Sequence, residues 1–146
     1  MVSISGLAPS KGFAQQVCSA KHILKLTNQF VRPPFIYDSH SANEFVMDDI
    51  EKQFEIQFTA FRGQKYKILF TTSGFEEDIQ LNIYDKKPNA KNRNTILKSS
   101  EKIENSYWLF EPEKPGKYYI EYKIPKSNSG ESKKGCILML TSYTEK

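Results

Sequence analysis

Between Phe54 and Tyr143 the chain is a succession of segments in which apolar or aromatic residues alternate with polar ones. Phe54, Ile56 and Phe58 alternate with Glu55, Gln57 and Thr59. Tyr66, Ile68 and Phe70 alternate with Lys65, Lys67 and Leu69, and Ile79, Leu81 and Ile83 with Gln80, Asn82 and Tyr84. Tyr118, Ile120, Tyr122 and Ile124 alternate with Lys117, Tyr119, Glu121 and Lys123. A period of two is the signature of strands with one buried and one wet face. Residues Cys136 to Leu140 are apolar on both phases, which predicts a central strand covered on both sides. Weaker strands are expected at Phe35–Tyr37, Glu44–Met47, Thr95–Lys98 and Tyr107–Phe110. The breaks carry turn chemistry: Arg62-Gly63, Gly74, Lys87-Pro88-Asn89, Glu113-Lys114-Pro115-Gly116 and Asn128-Ser129-Gly130. This pattern predicts a mainly β fold, a jelly-roll-like antiparallel β-sandwich of about eight strands with one N-terminal α-helix.

The helix comes from a change of period ahead of the strands. Phe13, Val17, Ala20 and Leu24 recur at helical spacing, with Ile23 and Leu26 widening the stripe. A helix over about 13–27 is expected, ending before Arg32-Pro33-Pro34, because a proline disfavours helical geometry in the residue before it. Residues 1–12 read as a leader or residual signal segment, and 13–146 as a single domain. Gly12-Phe13-Ala14 before Gln15 has the small residues of a signal cleavage site. Val2 to Ser10, however, is short and polar for the apolar part of such a signal. A shortened signal and a chance match both stay open.

At 146 residues, one domain can bury enough surface to fold without a staple. The formal net charge is +4 with the lysines scattered, a solvated surface rather than a nucleic-acid footprint. No run of about 18 apolar residues exists to span a membrane. Cys18 lies in the N-terminal segment and Cys136 in the last strand. They read either as a disulfide tying the domain's ends together, favoured in an exported setting, or as two buried thiols.

Candidate chemistry is sparse. Asp38-Ser39-His40-Ser41 contains the side-chain types of a hydrolase triad, but adjacent residues of an extended chain point to opposite faces. A hydrolase using His40 therefore needs a partner from elsewhere in the fold. Glu76, Glu77 and Asp78 form an acidic cluster on a sandwich rim, where calcium would require further oxygens from a second loop. No Cys/His grouping suits zinc. Lys87 and Arg93 belong to a basic stretch with Lys86, Lys91 and Lys98. The stronger cue for binding is Tyr84, Tyr107 and Tyr119, which occupy the phases opposite the apolar residues and offer rings to a sugar or a protein. The same rings would equally serve to cover a second buried face.

Four segments carry a resemblance: Phe61, Gly63, Gln64, Tyr66 and Ile68; Asp78 to Asp85; Trp108 to Pro112; and Gly116 to Ile120. Together they resemble the bacterial pre-peptidase C-terminal domain and, more loosely, the GOLD domain of secretory-pathway proteins, over about residues 50–143. The resemblance implies a β-sandwich that is non-catalytic and exported, of a kind often appended to secreted hydrolases, where it helps secretion or binds a matrix or a polysaccharide. The expectation is thus a secreted or periplasmic binding module for a glycan or a protein. No nucleic acid, transmembrane segment or obligatory cofactor is expected. The alternative is a structural subunit of the cell envelope acting through a sheet edge or the helix face.

Overall fold

The computed structural model describes residues 16–75, 78–104 and 106–146. A 3-10 turn at Gln16–Cys18 leads into helix α1 (Ala20–Phe30). Eight strands follow: β1 (Ile36–Met47), β2 (Lys52–Ala60), β3 (Gln64–Ser73), β4 (Gln80–Tyr84), β5 (Thr95–Leu97), β6 (Tyr107–Phe110), β7 (Gly116–Ile124) and β8 (Lys133–Glu145). They form two four-stranded sheets, ordered β1-β8-β3-β6 and β2-β7-β4-β5. Every paired neighbour is antiparallel. The outermost strands in sequence, β1 and β8, pair with each other; so do β2 with β7, β3 with β6 and β4 with β5. This nested pairing is what rolling one long hairpin over itself produces, and the expected eight-stranded sandwich with an N-terminal helix is the observed architecture.

The inward phase of each strand fills the space between the sheets. Trp108, Phe70, Ile68, Leu81, Ile83, Ile120, Ile124 and Ile137 are fully buried there. Each such side chain contributes roughly 1.5–3 kcal/mol by leaving water. Edge-to-face rings reinforce the packing: Phe58 on Tyr66 at 5.1 Å between ring centres, and Phe110 on Tyr118 at 5.2 Å. At the β2–β3 turn the backbone of Gly63 takes φ +86°, the left-handed geometry that glycine adopts without strain.

The central strand β8 is covered on both faces, as its continuous apolar run predicts. Ile137 and Met139 point between the sheets, while Cys136 and Leu138 point outward under Val17 and Ile23. Cys18 and Cys136 form a disulfide with their Cα atoms 6.0 Å apart.

Two elements differ from the sequence-based expectation. The helix does not run over 13–27: it starts at Ala20 and ends at Phe30, and residues 13–15 lie outside the described part, as does the leader 1–12. Ser19 is the reason for the start. Its backbone is extended and its hydroxyl accepts from the His22 N–H at 3.2 Å, an N-cap that starts the helix at Ala20. The buried side then carries Ile23 and Leu26, while Leu24, expected in the apolar stripe, is 61% exposed. The second difference is β1. Two short segments were expected around Phe35–Tyr37 and Glu44–Met47, but one continuous strand of 12 residues joins them. Its polar middle does not break it because β1 lies at the edge of its sheet, where both phases reach solvent.

Candidate functional site

The outer face of the β2-β7-β4-β5 sheet gathers part of the expected binding set. Tyr84 on β4 lies directly across from Tyr119 on β7. Arg93 folds back from the β4–β5 connection so that its guanidinium lies 3.6 Å from the centre of the Tyr84 ring. The same guanidinium forms an ion pair with Glu55 of β2. Glu55 in turn faces Glu121 of β7 in the strand register. Glu121 is 4% exposed and its carboxylate accepts three hydrogen bonds: from Gln53 at 2.7 Å, Asn82 at 3.2 Å and the Tyr84 hydroxyl at 3.3 Å. Burial, and then the negative charge of Glu121, push the Tyr84 phenol above its ordinary value.

Nothing in the sequence marked Glu121 as buried. Its strand phase is the polar one, and the residues that cover it come from two other strands, β2 and β4. The network is closed on itself, and this limits what the face offers a ligand. The Tyr84 ring is occupied by Arg93, and Tyr84, Tyr107 and Tyr119 are all half-buried. Tyr107 is not on this face at all. It stands on β6 in the other sheet, edge to face with Phe30 of α1 at 5.1 Å. The expected tyrosine platform for a sugar is therefore divided between two sheets and largely covered.

The basic loop is also braced. Asp85 accepts from the backbone N–H of Asn94 at 2.9 Å and from its side-chain amide at 3.1 Å, and these bonds hold the Asp85 carboxyl below the usual range. Arg93 Nε donates to the Lys86 carbonyl at 3.0 Å. Lys87 is exposed on the intervening turn, where its carbonyl accepts from the Ala90 N–H at 3.2 Å. Of the proposed calcium cluster, Glu76 and Glu77 lie outside the described residues, and Asp78 sits 3.5 Å from the Lys102 ammonium. Among the described residues no three His, Cys, Asp or Glu side chains converge as a metal set.

The opposite sheet carries a feature that the sequence did not announce. Beside α1, on the outer face of β1, runs a groove of about 560 Å3 lined by Cys18, Ala20, Ile23, Leu24, Thr27, Tyr37, His40 and Ala42. Its walls are mostly apolar. Leu24 on the helix side and Tyr37 on the strand side are 61% and 45% exposed, and Ile36 beside Tyr37 is 54% exposed. The helix packs through Ile23 and Leu26 on Val17, Cys136 and Leu138, which leaves Leu24 on the groove side. Its polar end is a pair: the Tyr37 hydroxyl and His40 Nδ1 are 2.7 Å apart. Ser39 gives its hydroxyl to Asp38 at 2.9 Å instead of to His40. The nucleophile–base contact that a hydrolase at His40 requires is thus replaced by two separate local pairs.

No helix among the described residues is long and apolar enough to cross a membrane. No family model and no curated protein matches the chain. Among solved structures it is similar to PliG of Aeromonas hydrophila, described as a periplasmic lysozyme inhibitor of g-type lysozyme, with TM-score 0.45 and 16% identity over 72% of this chain and 86% of that one. It is also similar to PliG of Salmonella Typhimurium, described in the same words, with TM-score 0.40 and 18% identity over 70% of this chain and 90% of that one.

Proposed function

We propose that this chain is a non-catalytic, exported binding protein whose ligand is another protein, held in the groove between α1 and β1. The observation that carries the reading is the groove itself, with Leu24 and Tyr37 exposed along it. Large apolar side chains gathered around one concavity are a surface that a partner covers. The Tyr37–His40 pair supplies a hydrogen-bonding end that fixes orientation. The Cys18–Cys136 disulfide supports an oxidising compartment such as the periplasm or the cell exterior. A sugar is the weaker choice of ligand, since the rings that would stack on it are taken up by Arg93 and Phe30.

The test pairs two variants. Soluble proteins, g-type lysozyme among them, are passed over the immobilised wild-type chain, Leu24→Glu and Arg93→Ala. Leu24 is exposed, so the glutamate changes the groove and spares the core. The expected outcome is a protein ligand that Leu24→Glu weakens by roughly tenfold or more, the scale of one interface anchor, and that Arg93→Ala leaves unchanged. A ligand lost with Arg93→Ala and retained by Leu24→Glu would place binding on the other sheet and overturn the proposal.

A further inference from the structure

We infer that the end of the sandwich built from the β2–β3, β4–β5 and β6–β7 connections is a contact surface for a lipid membrane with anionic headgroups, with Phe61 as its apolar anchor. None of the residues that line the groove belongs to this surface.

The first observation is what the topology gathers. The lysines are scattered in the sequence, but antiparallel pairing returns alternate connections to the same end. Ala60 lies opposite Gly116 and Gln64 opposite Glu145, so the β2–β3 turn, the β6–β7 turn and the end of β8 stand together. Lys146 joins them by donating its backbone N–H to the Gly63 carbonyl at 3.0 Å. β4 ends at Tyr84, opposite Tyr119 near the start of β7, so the 85–94 connection projects from this end too. Arg62 and Lys65 come with the first turn, and Lys114 and Lys117 with the β6–β7 turn. Lys86, Lys87 and Lys91 come with the connection between them. All of these are exposed, as is Lys146, and none forms an ion pair among the described residues. They outnumber the acids of the same segments, Asp85, Glu111, Glu113 and Glu145. The other end is different: there Lys52, Lys102 and Lys133 are paired with Asp48, Asp78 and Glu131. Unpaired like charges held together repel one another and attract an anionic surface. The Asp85–Asn94 bonds and the Arg93–Lys86 bond brace the longest of the connections, so its cations are presented in place.

The second observation is Phe61. It is 63% exposed at the β2–β3 turn, beside Arg62. Its backbone is fixed at both groups: the N–H donates to the Tyr66 hydroxyl at 3.2 Å, and the carbonyl accepts from the Gln64 N–H at 3.3 Å. A firmly held turn thus puts one large apolar ring among the cations. The described chain begins far from here, since the Val17 N–H bonds to Ser73, at the opposite end of β3 from Lys65.

The combination selects the partner. A nucleic acid would want several rings for stacking, and this end offers Phe61. An acidic protein would answer the charges but would need an apolar pocket in register with the ring. A lipid surface has anionic headgroups that move laterally to meet each cation, and an apolar layer directly beneath them for the ring. Charge attraction joined to shallow apolar burial is how peripheral proteins hold a membrane.

The test is sedimentation of the full chain with two kinds of vesicle, phosphatidylcholine alone and phosphatidylcholine with phosphatidylglycerol in equal parts. Soluble polyglutamate is the third probe. The chain should sediment with the anionic vesicles and not with phosphatidylcholine, and added salt should release it. The double variant Lys87→Glu, Lys117→Glu should weaken this binding by roughly tenfold or more, since each cation near the surface contributes. The matched double Lys126→Glu, Lys133→Glu, at the other end, should leave it unchanged. Phe61→Ser should weaken vesicle binding several-fold without altering thermal unfolding, because the ring is exposed. Absence of binding to the anionic vesicles would overturn the proposal. Equal loss in the two double variants would overturn the placement at this end, and equal binding to both vesicles would overturn the role of charge. Polyglutamate bound as tightly as the anionic vesicles, with Phe61→Ser indifferent, would make the partner an acidic polymer and overturn the lipid surface.

Discussion

At the scale of single residues, Glu121 and Gly135 hold more than their types suggest. Glu121 is the acceptor on which Gln53, Asn82 and Tyr84 converge, and it is nearly closed to solvent. Glu121→Ala removes the acceptor and leaves three donors facing it. Urea unfolding should show a loss of about 2–3 kcal/mol, the scale of hydrogen bonds to a charged group together with stranded partners. Tyr84→Phe deletes one donor and should cost about 0.5–1.5 kcal/mol. If Glu121→Ala proved neutral, the face would be wet rather than locked. Gly135 is held by a close approach. A Cβ built there would lie 2.5 Å from the Phe75 ring and 2.6 Å from its Cγ, too close for either to remain in place. Gly135→Ala should destabilise by about 1–3 kcal/mol, as overpacking does. Adding Phe75→Leu should return part of that loss, because the clash is with the ring; a double variant no better than the single would refute the account.

At the scale of elements, α1 depends on its tether. Its own buried contribution is small, with Ile23 its one buried residue and Leu26 partly covered. A helix of 11 residues is marginal without tertiary contacts. The disulfide holds its N-terminal approach to β8, and the Val17 N–H donates to Ser73 on β3 at 3.2 Å. Reduction should therefore act unevenly. Hydrogen exchange in Ala20–Phe30 should accelerate strongly, while β3 and β7 amides stay among the slowest. Global stability should fall by about 2–5 kcal/mol, the usual cost of losing a bridge across a long loop. Uniform acceleration in every strand would show that the helix and the sandwich form one cooperative unit. The groove shares this dependence, since Cys18, Ile23 and Leu24 all line it. Its affinity should fall with the helix, and reductant should weaken the ligand that Leu24→Glu weakens.

At the scale of the whole molecule, the space between the sheets titrates at the alkaline end. Tyr122 is buried in that core, and burial raises its phenol far above the ordinary value of 10.0. The folded state thus favours the neutral phenol. Its contribution is complete below about pH 10 and is lost progressively as pH rises beyond, because the unfolded chain releases the proton that the folded chain keeps. Stability measured by urea titration should be flat in this respect at neutral pH and decline from about pH 10 upward. Tyr122→Phe should flatten part of that decline; an unchanged profile would assign it to other groups.

Much of the scaffold was legible in the sequence. Alternation of period two identified the inward residues of β3, β4 and β7, from Tyr66, Ile68 and Phe70 to Ile120 and Ile124, because the side chains of a strand must alternate and only one phase can be dry. The double-sided apolar run of β8 likewise announced a covered central strand. The site was not legible, for a different reason. Sequence phase tells which residues share a face of one strand, but not which neighbour covers that face. Tyr84 and Arg93 were singled out as binding residues, and the fold spends them on each other and on Glu55 and Glu121. Leu24 falls in the apolar stripe of the sequence, but the helix packs through Ile23 and Leu26 and leaves it at the surface. Local periodicity is a property of the chain and can be read from it. Exposure and a groove are properties of what remains uncovered once all elements have packed, and they are decided only by the tertiary arrangement.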